Sequence, residues 1–214
     1  MNCRKISWKR LSIILSAGLV CVVCAYMYRR SQSPAPAPQH VQESGRKILR
    51  NELAEIRDTD FGRSRRGRLL TDRVESLLEG DRIIFSSDTD GNRAIWTRAL
   101  IGPETLYVKV LEPNSGTYLH QLPCQIVEVT FHEAVHSIHG GFRCASIEEE
   151  CDAFAAGLTA EAVSKGTDPP KLLKIDGMPV GTFVTRSYPG LQRKPGYQPL
   201  GKSLDWLKQN TGLQ

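Results

Sequence analysis

The sequence lacks a disulfide framework. Its six cysteines fall into two groups: Cys3, Cys21 and Cys24 near the N-terminus, and Cys124, Cys144 and Cys151 in the body. An odd number in the body leaves room for at most one internal bridge there. Internal repeats are also absent, which sets aside solenoid and propeller architectures. The composition is not that of a disordered chain, since 40% hydrophobic and 24% charged residues is the balance of a folded protein. The basic run Gly62-Arg63-Ser64-Arg65-Arg66-Gly67-Arg68 has no interleaved aromatic residue. It therefore offers no platform for base stacking and reads as an exposed basic loop, so no nucleic-acid partner is expected. Much of the net charge of +5 is local in this way and says little about the whole surface.

What the N-terminus does have is an uncharged apolar run at 11–28, LSIILSAGLVCVVCAYMY, between a basic tail at 1–10 and Arg29-Arg30. As a helix it rises about 27 Å, close to the roughly 30 Å core of a bilayer. Trp8, Tyr26 and Tyr28 stand where interfacial aromatics belong. No small-x-small cleavage site follows, so the run reads as an uncleaved single-pass anchor rather than a signal peptide. Cys21 and Cys24 then face lipid. The denser N-terminal charge favours an N-inside orientation, with the body on the non-cytoplasmic side. Residues 29–40, rich in alternating Pro-Ala, read as an extended linker. Residues 41–214 are left as the folded domain.

That domain is expected to be α+β. Ile48, Leu49, Leu53 and Ile56 recur at helical spacing, and a second helix follows with Leu69, Leu70, Val74, Leu77 and Leu78 up to Gly80. Short β-type runs come next at 82–85, 94–97, 105–111 and 118–122. They predict a small antiparallel sheet. Asp88-Thr89-Asp90-Gly91-Asn92 is a turn that starts like a calcium loop but lacks its glutamate and flanking helices. A central helix is predicted over 125–139, ending at Gly140-Gly141. Ser146 with Glu149 forms a capping box that opens another helix, reaching about Val163. The segment 181–190 reads as a strand and turn, 191–200 as an irregular wrap, and 203–208 as a terminal helix.

The central helix carries His132-Glu133-x-x-His136. Four residues apart, the two histidines share one helix face and can present two imidazoles to a zinc ion. Glu133 stands beside them as the general base. A third ligand is required, and the metzincin completion fails because His139 and Phe142 stand where that pattern needs glycine and histidine. A glutamate from the following helix is the alternative. Glu148, Glu149 and Glu150 compete for the role, with Glu149 already engaged by the capping box.

In these residues the chain resembles the gluzincin metallopeptidases, whose second site helix commonly reads Glu-x-x-x-Asp. Glu148 and Asp152 occupy those two positions. The resemblance covers roughly 125–160. It implies a zincin-like helix pair with the small sheet packed on it, and a zinc cofactor held by His132, His136 and Glu148. Asp152 would orient a ligand histidine. The alanine-rich second helix looks most like compact membrane-associated or phage-repressor-cleaving peptidases. The expected function is a membrane-anchored zinc peptidase acting on a protein or peptide substrate. His120, His139, Tyr118 and Tyr188 are candidates for stabilising the oxyanion. The alternative is a non-catalytic, metal-stabilised binding module, which a closed fourth ligand such as His139 or Cys144 would favour. A hydrolase of non-peptide amides is a third reading.

Overall fold

The computed structural model describes residues 34–86, 94–97, 104–109, 123–140 and 145–214. The expected membrane anchor at 11–28, the turn at 88–92 and the expected strand at 118–122 lie outside the described residues. Among the described residues no helix is long and apolar enough to cross a membrane.

The domain is α+β and mostly helical. Helix α1 (Gln39–Arg57) buries Leu49, Leu53 and Ile56 of the expected stripe and leaves Ile48 partly buried, and it also buries Val41. The basic run is not a loop. It ends α2 (Asp60–Arg63) and opens α3 (Arg65–Glu79). Thr59 Oγ1 accepts from the Gly62 amide and Ser64 Oγ from the Gly67 amide, so each helix has a side-chain cap. The two glycines serve close packing rather than loop geometry. A Cβ on Gly62 would stand 2.1 Å from the Ile56 carbonyl oxygen, and one on Gly67 would stand 1.9 Å from that of Phe61. Arg63, Arg65 and Arg68 remain exposed, but Arg66 is only 2% exposed.

The sheet is mixed, not antiparallel as expected. Strands β1 (Ile83–Ser86), β2 (Ala94–Thr97) and β3 (Thr105–Lys109) run in the order β1-β3-β2. β1 pairs parallel with β3, and β2 pairs antiparallel. Strand β3 buries Leu106, Tyr107 and Val108 in succession, as suits the central position. The end of the expected linker packs along β1: the Ala37 amide donates to the Phe85 carbonyl at 2.8 Å, and Ala37 is 6% exposed.

Helices α4 (Pro123–His139) and α5 (Ile147–Ser164) form the closest-packed pair, with β2 and β3 against α4. α4 ends at Gly140, whose φ of 65° is left-handed and whose amide donates to the His136 carbonyl. α5 opens on Ser146, whose hydroxyl accepts from the Glu149 amide. It is buried on two sides. Ala153, Ala156 and Ala160 join the core shared with α1, α3, α4 and the sheet, while Ile147, Cys151 and Ala155 meet a second core built by the C-terminal elements. Those elements are the hairpin β4 (Lys174–Ile175) and β5 (Met178–Pro179), helix α6 (Val180–Ser187) and helix α7 (Leu204–Thr211). The expected strand at 181–190 is thus helix α6. Val180 and Val184, one turn apart, are both buried in the second core, and that packing overrides β-branched preference.

Candidate metal centre

Helix geometry brings His132 and His136 together as the spacing requires. Their Nε2 atoms lie 3.3 Å apart. The carboxylate that joins them comes from Glu150: Oε2 is 3.5 Å from His132 Nε2, and Oε1 is 3.4 Å from His136 Nε2. Among the described residues this is the group of side chains placed to hold a metal ion, and its ligand atoms all lie within 4.8 Å of one another. Bonds of 2.0–2.1 Å at tetrahedral angles would separate two ligand atoms by about 3.3 Å. The spacing of the two histidines matches that figure, while Glu150 meets each histidine with a different oxygen. Two imidazoles with one carboxylate are a donor set suited to zinc.

The structure does not bring Glu148, the glutamate expected as third ligand, to the histidines. Glu148 is buried and turned away from the histidines, with Oε1 accepting from Arg193 Nε at 2.5 Å and Oε2 from the Lys194 amide at 2.8 Å. Two residues along a helix is a rotation of about 200°, so Glu148 and Glu150 point to opposite sides. Phe154, one turn after Glu150, confirms which face meets α4, because its ring lies 4.4 Å from that of His132, edge-on.

Asp152, expected to orient a ligand histidine, is not placed against His132 or His136 either. Asp152 is fully buried, but its partners are Arg66 Nη1 at 2.6 Å, the Leu200 amide at 2.8 Å and the Tyr197 hydroxyl at 3.0 Å. Burial pushes its pKa up, yet the Arg66 charge, the nearby His139 ring (Nε2 3.8 Å from Oδ2) and the Leu200 amide hold it below the usual carboxylate range. The residue that meets a ligand histidine from behind is Glu149, 3.0 Å from His136 Nδ1. The sequence offered Glu149 a place in the helix cap and a share in the ligand role, but not this position behind a histidine. In the structure its amide serves the cap and its carboxylate serves the histidine.

The electrostatics follow from three carboxylates around two imidazoles. Burial lowers the His136 pKa, but the bond to Glu149 and the charges of Glu150 and Glu133 outweigh it and raise the pKa to about 9. Burial likewise opposes ionisation of Glu150, and His132 and His136 reverse this, leaving its pKa lowered. Glu133 follows His132 directly on α4, and its charge reaches both His136 and the Tyr188 hydroxyl.

Of the oxyanion candidates, Tyr188 stands beside Phe154, within electrostatic reach of Glu150 and Glu133. It is 39% exposed, its ring is 6.4 Å from that of Phe154, and burial with the charges of Glu150 and Glu133 raises its pKa. His139 is turned to Tyr197, its Nε2 2.8 Å from that hydroxyl. Tyr118, His120 and Cys144 lie outside the described residues. Cys151 is a free, buried thiol whose pKa burial pushes up to about 12, far from a thiolate ligand.

No protein-family model, no curated protein and no solved structure matches this chain.

Proposed function

We propose that this protein is a membrane-anchored, zinc-dependent peptidase. The observation that carries the reading is the convergence of His132, His136 and Glu150, whose ligand atoms lie within 4.8 Å of one another with the two imidazole nitrogens 3.3 Å apart, and a further carboxylate, Glu133, one residue from the first histidine. Zinc bound by those three side chains would supply a Lewis acid that acidifies water and polarises a carbonyl. Glu133 takes a proton from the attacking water and passes it to the departing amine. The Tyr188 hydroxyl, kept protonated by burial and the neighbouring carboxylates, donates a hydrogen bond to the developing oxyanion. Among the described residues, His139 is engaged by Tyr197 through Nε2 rather than turned to the histidine pair, which supports an open position over closure by His139. The segment 11–28 anchors the domain, with the catalytic part on the non-cytoplasmic side.

The test is metal content and proteolysis of the purified protein beside Glu133→Gln. Stoichiometric zinc in both, with peptide cleavage only in the wild type, is the expected result. Metal without Glu133-dependent cleavage of any protein or peptide would point instead to the metal-stabilised binding module. Absence of metal from the wild type overturns both readings.

A further inference from the structure

Glu148, Glu149 and Glu150 stand in the first turn of α5, about 100° apart around its axis. Turning the helix by one or two residues would bring a different one of them to the histidines. We infer that the C-terminal segment 191–200 decides which glutamate becomes the metal ligand, by gripping α5 in one rotational phase. This rests on the metal centre proposed above.

The grip is made at two levels, one turn apart on the same face of α5. At the first, the Ile147 amide donates to the Gln192 carbonyl at 3.1 Å. Beside it Arg193 Nε and the Lys194 amide take both oxygens of Glu148. At the second, the Leu200 amide and the Tyr197 hydroxyl both donate to Oδ2 of Asp152. Glu148 and Asp152 are four residues apart, so one stretch of chain holds one stripe of the helix. Any rotation of α5 would strip two buried carboxylates of their donors, which is strongly unfavourable. With that stripe occupied, Glu149 and Glu150 are the acidic residues left to face α4. Tyr197 also touches α4 itself, through His139, one turn beyond His136. The segment is therefore tied to both helices of the site. Residues 193, 194 and 197 act as positioning residues: they touch no proposed ligand and work through the phase of α5.

The test is titration of the full chain with Co²⁺, read by its visible absorption, for wild type, Arg193→Ala, Tyr197→Phe, Glu148→Gln and Glu150→Gln. The thermal midpoint of each metal-free protein is recorded alongside. Arg193 lies at the surface, its side chain 49% exposed, so its replacement leaves the core intact. Tyr197→Phe keeps the buried ring and removes only the hydroxyl. Loss of an outer partner of a metal site typically weakens metal binding 10–100-fold. That range is expected for Arg193→Ala, Tyr197→Phe and Glu148→Gln, with altered band positions or intensities. Glu150→Gln should abolish the spectrum. Wild-type Co²⁺ affinity and spectrum in the three grip variants, whatever their melting temperatures, would overturn the inference and leave the metal centre standing. So would loss of binding in Glu148→Gln with retention in Glu150→Gln. A wild-type chain that binds no Co²⁺ overturns this inference together with the metal centre.

Discussion

Oε1 of Glu149 lies 3.0 Å from Nδ1 of His136, while Nε2 of the same ring faces His132 and Glu150. The ring is held by its outer nitrogen, which fixes the tautomer that leaves Nε2 free as a donor atom and raises its basicity. Glu149→Gln keeps a hydrogen-bonding group and loses the charge, whereas Glu149→Ala loses both. The expected order of zinc affinity is wild type, then Gln, then Ala, with the last 10–100-fold weaker. Competition against a chromophoric chelator measures this. Equal affinities would show that the contact does not orient the ligand.

The same contact sets a pH dependence. In the metal-free protein the His136 pKa is raised to about 9 from an ordinary 6.5. A raised folded pKa stabilises the fold fully below pH 6.5, and that contribution is lost as pH rises through 9, by about 3 kcal/mol in all. The urea midpoint of the metal-free protein is expected to fall between pH 6.5 and 9.5. Glu150 works in the opposite sense: its lowered pKa stabilises above the ordinary carboxylate range and the effect is lost on acidification. Metal needs a neutral imidazole, so zinc affinity should climb with pH up to about 9, with proton release on binding. Calorimetry in buffers of different ionisation enthalpy reads that release. Zinc affinity flat between pH 6.5 and 9 would contradict it.

The parts of this arrangement that are local in sequence were legible there. His132 and His136 share a face through helix geometry alone. The Ser146 cap and the Gly140 terminus are decided within a few residues. What was not legible depends on distant partners. Glu148 was the favoured ligand because Glu148 and Asp152 fit the Glu-x-x-x-Asp pattern, and nothing near it reveals Arg193 and Lys194, 45 and 46 residues later. Arg66 looked like one exposed arginine among four because its carboxylate, Asp152, is 86 residues away. Segment 181–190 has the β-branched content of a strand, and only the second core shows why Val180 and Val184 are better placed on a helix. The sheet order followed the same pattern: each strand was visible, but the parallel pairing of β1 with β3 was not.

Arg66 and Asp152 carry the next expectation. Their side chains are 2% and 0% exposed, and Arg66 makes further bonds to the Leu200 and Asp152 carbonyl oxygens. Removing one partner of such a pair leaves an uncompensated buried charge and costs about 3–5 kcal/mol. Asp152→Ala and Arg66→Met should each lower stability by that order in urea denaturation. The double substitution should cost clearly less than the sum, since it strands no charge. Additive losses would mean that the two groups stabilise the fold independently.

Gly157 tests the packing that sets the distance between the two site helices. A Cβ at this position on α5 would stand 2.5 Å from the Glu128 carbonyl oxygen on α4, a backbone atom that cannot rotate aside. Helix propensity alone favours Gly157→Ala by roughly 1 kcal/mol. Overpacking of a tight contact opposes it by roughly 1–3 kcal/mol, and against backbone the upper end of that range applies. The balance therefore falls on the destabilising side. A melting temperature lowered by several degrees is expected, since about 1 kcal/mol moves a domain of this size by 2–4 °C. Glu128 is one turn before His132, so parting the helices there should also weaken zinc binding. Scanning calorimetry of the metal-free protein and zinc titration of the same sample give both readings. A melting temperature equal to or above wild type would show that α4 and α5 do not meet backbone to backbone at Gly157, and the close approach that places Glu150 on the histidines would have to be redrawn.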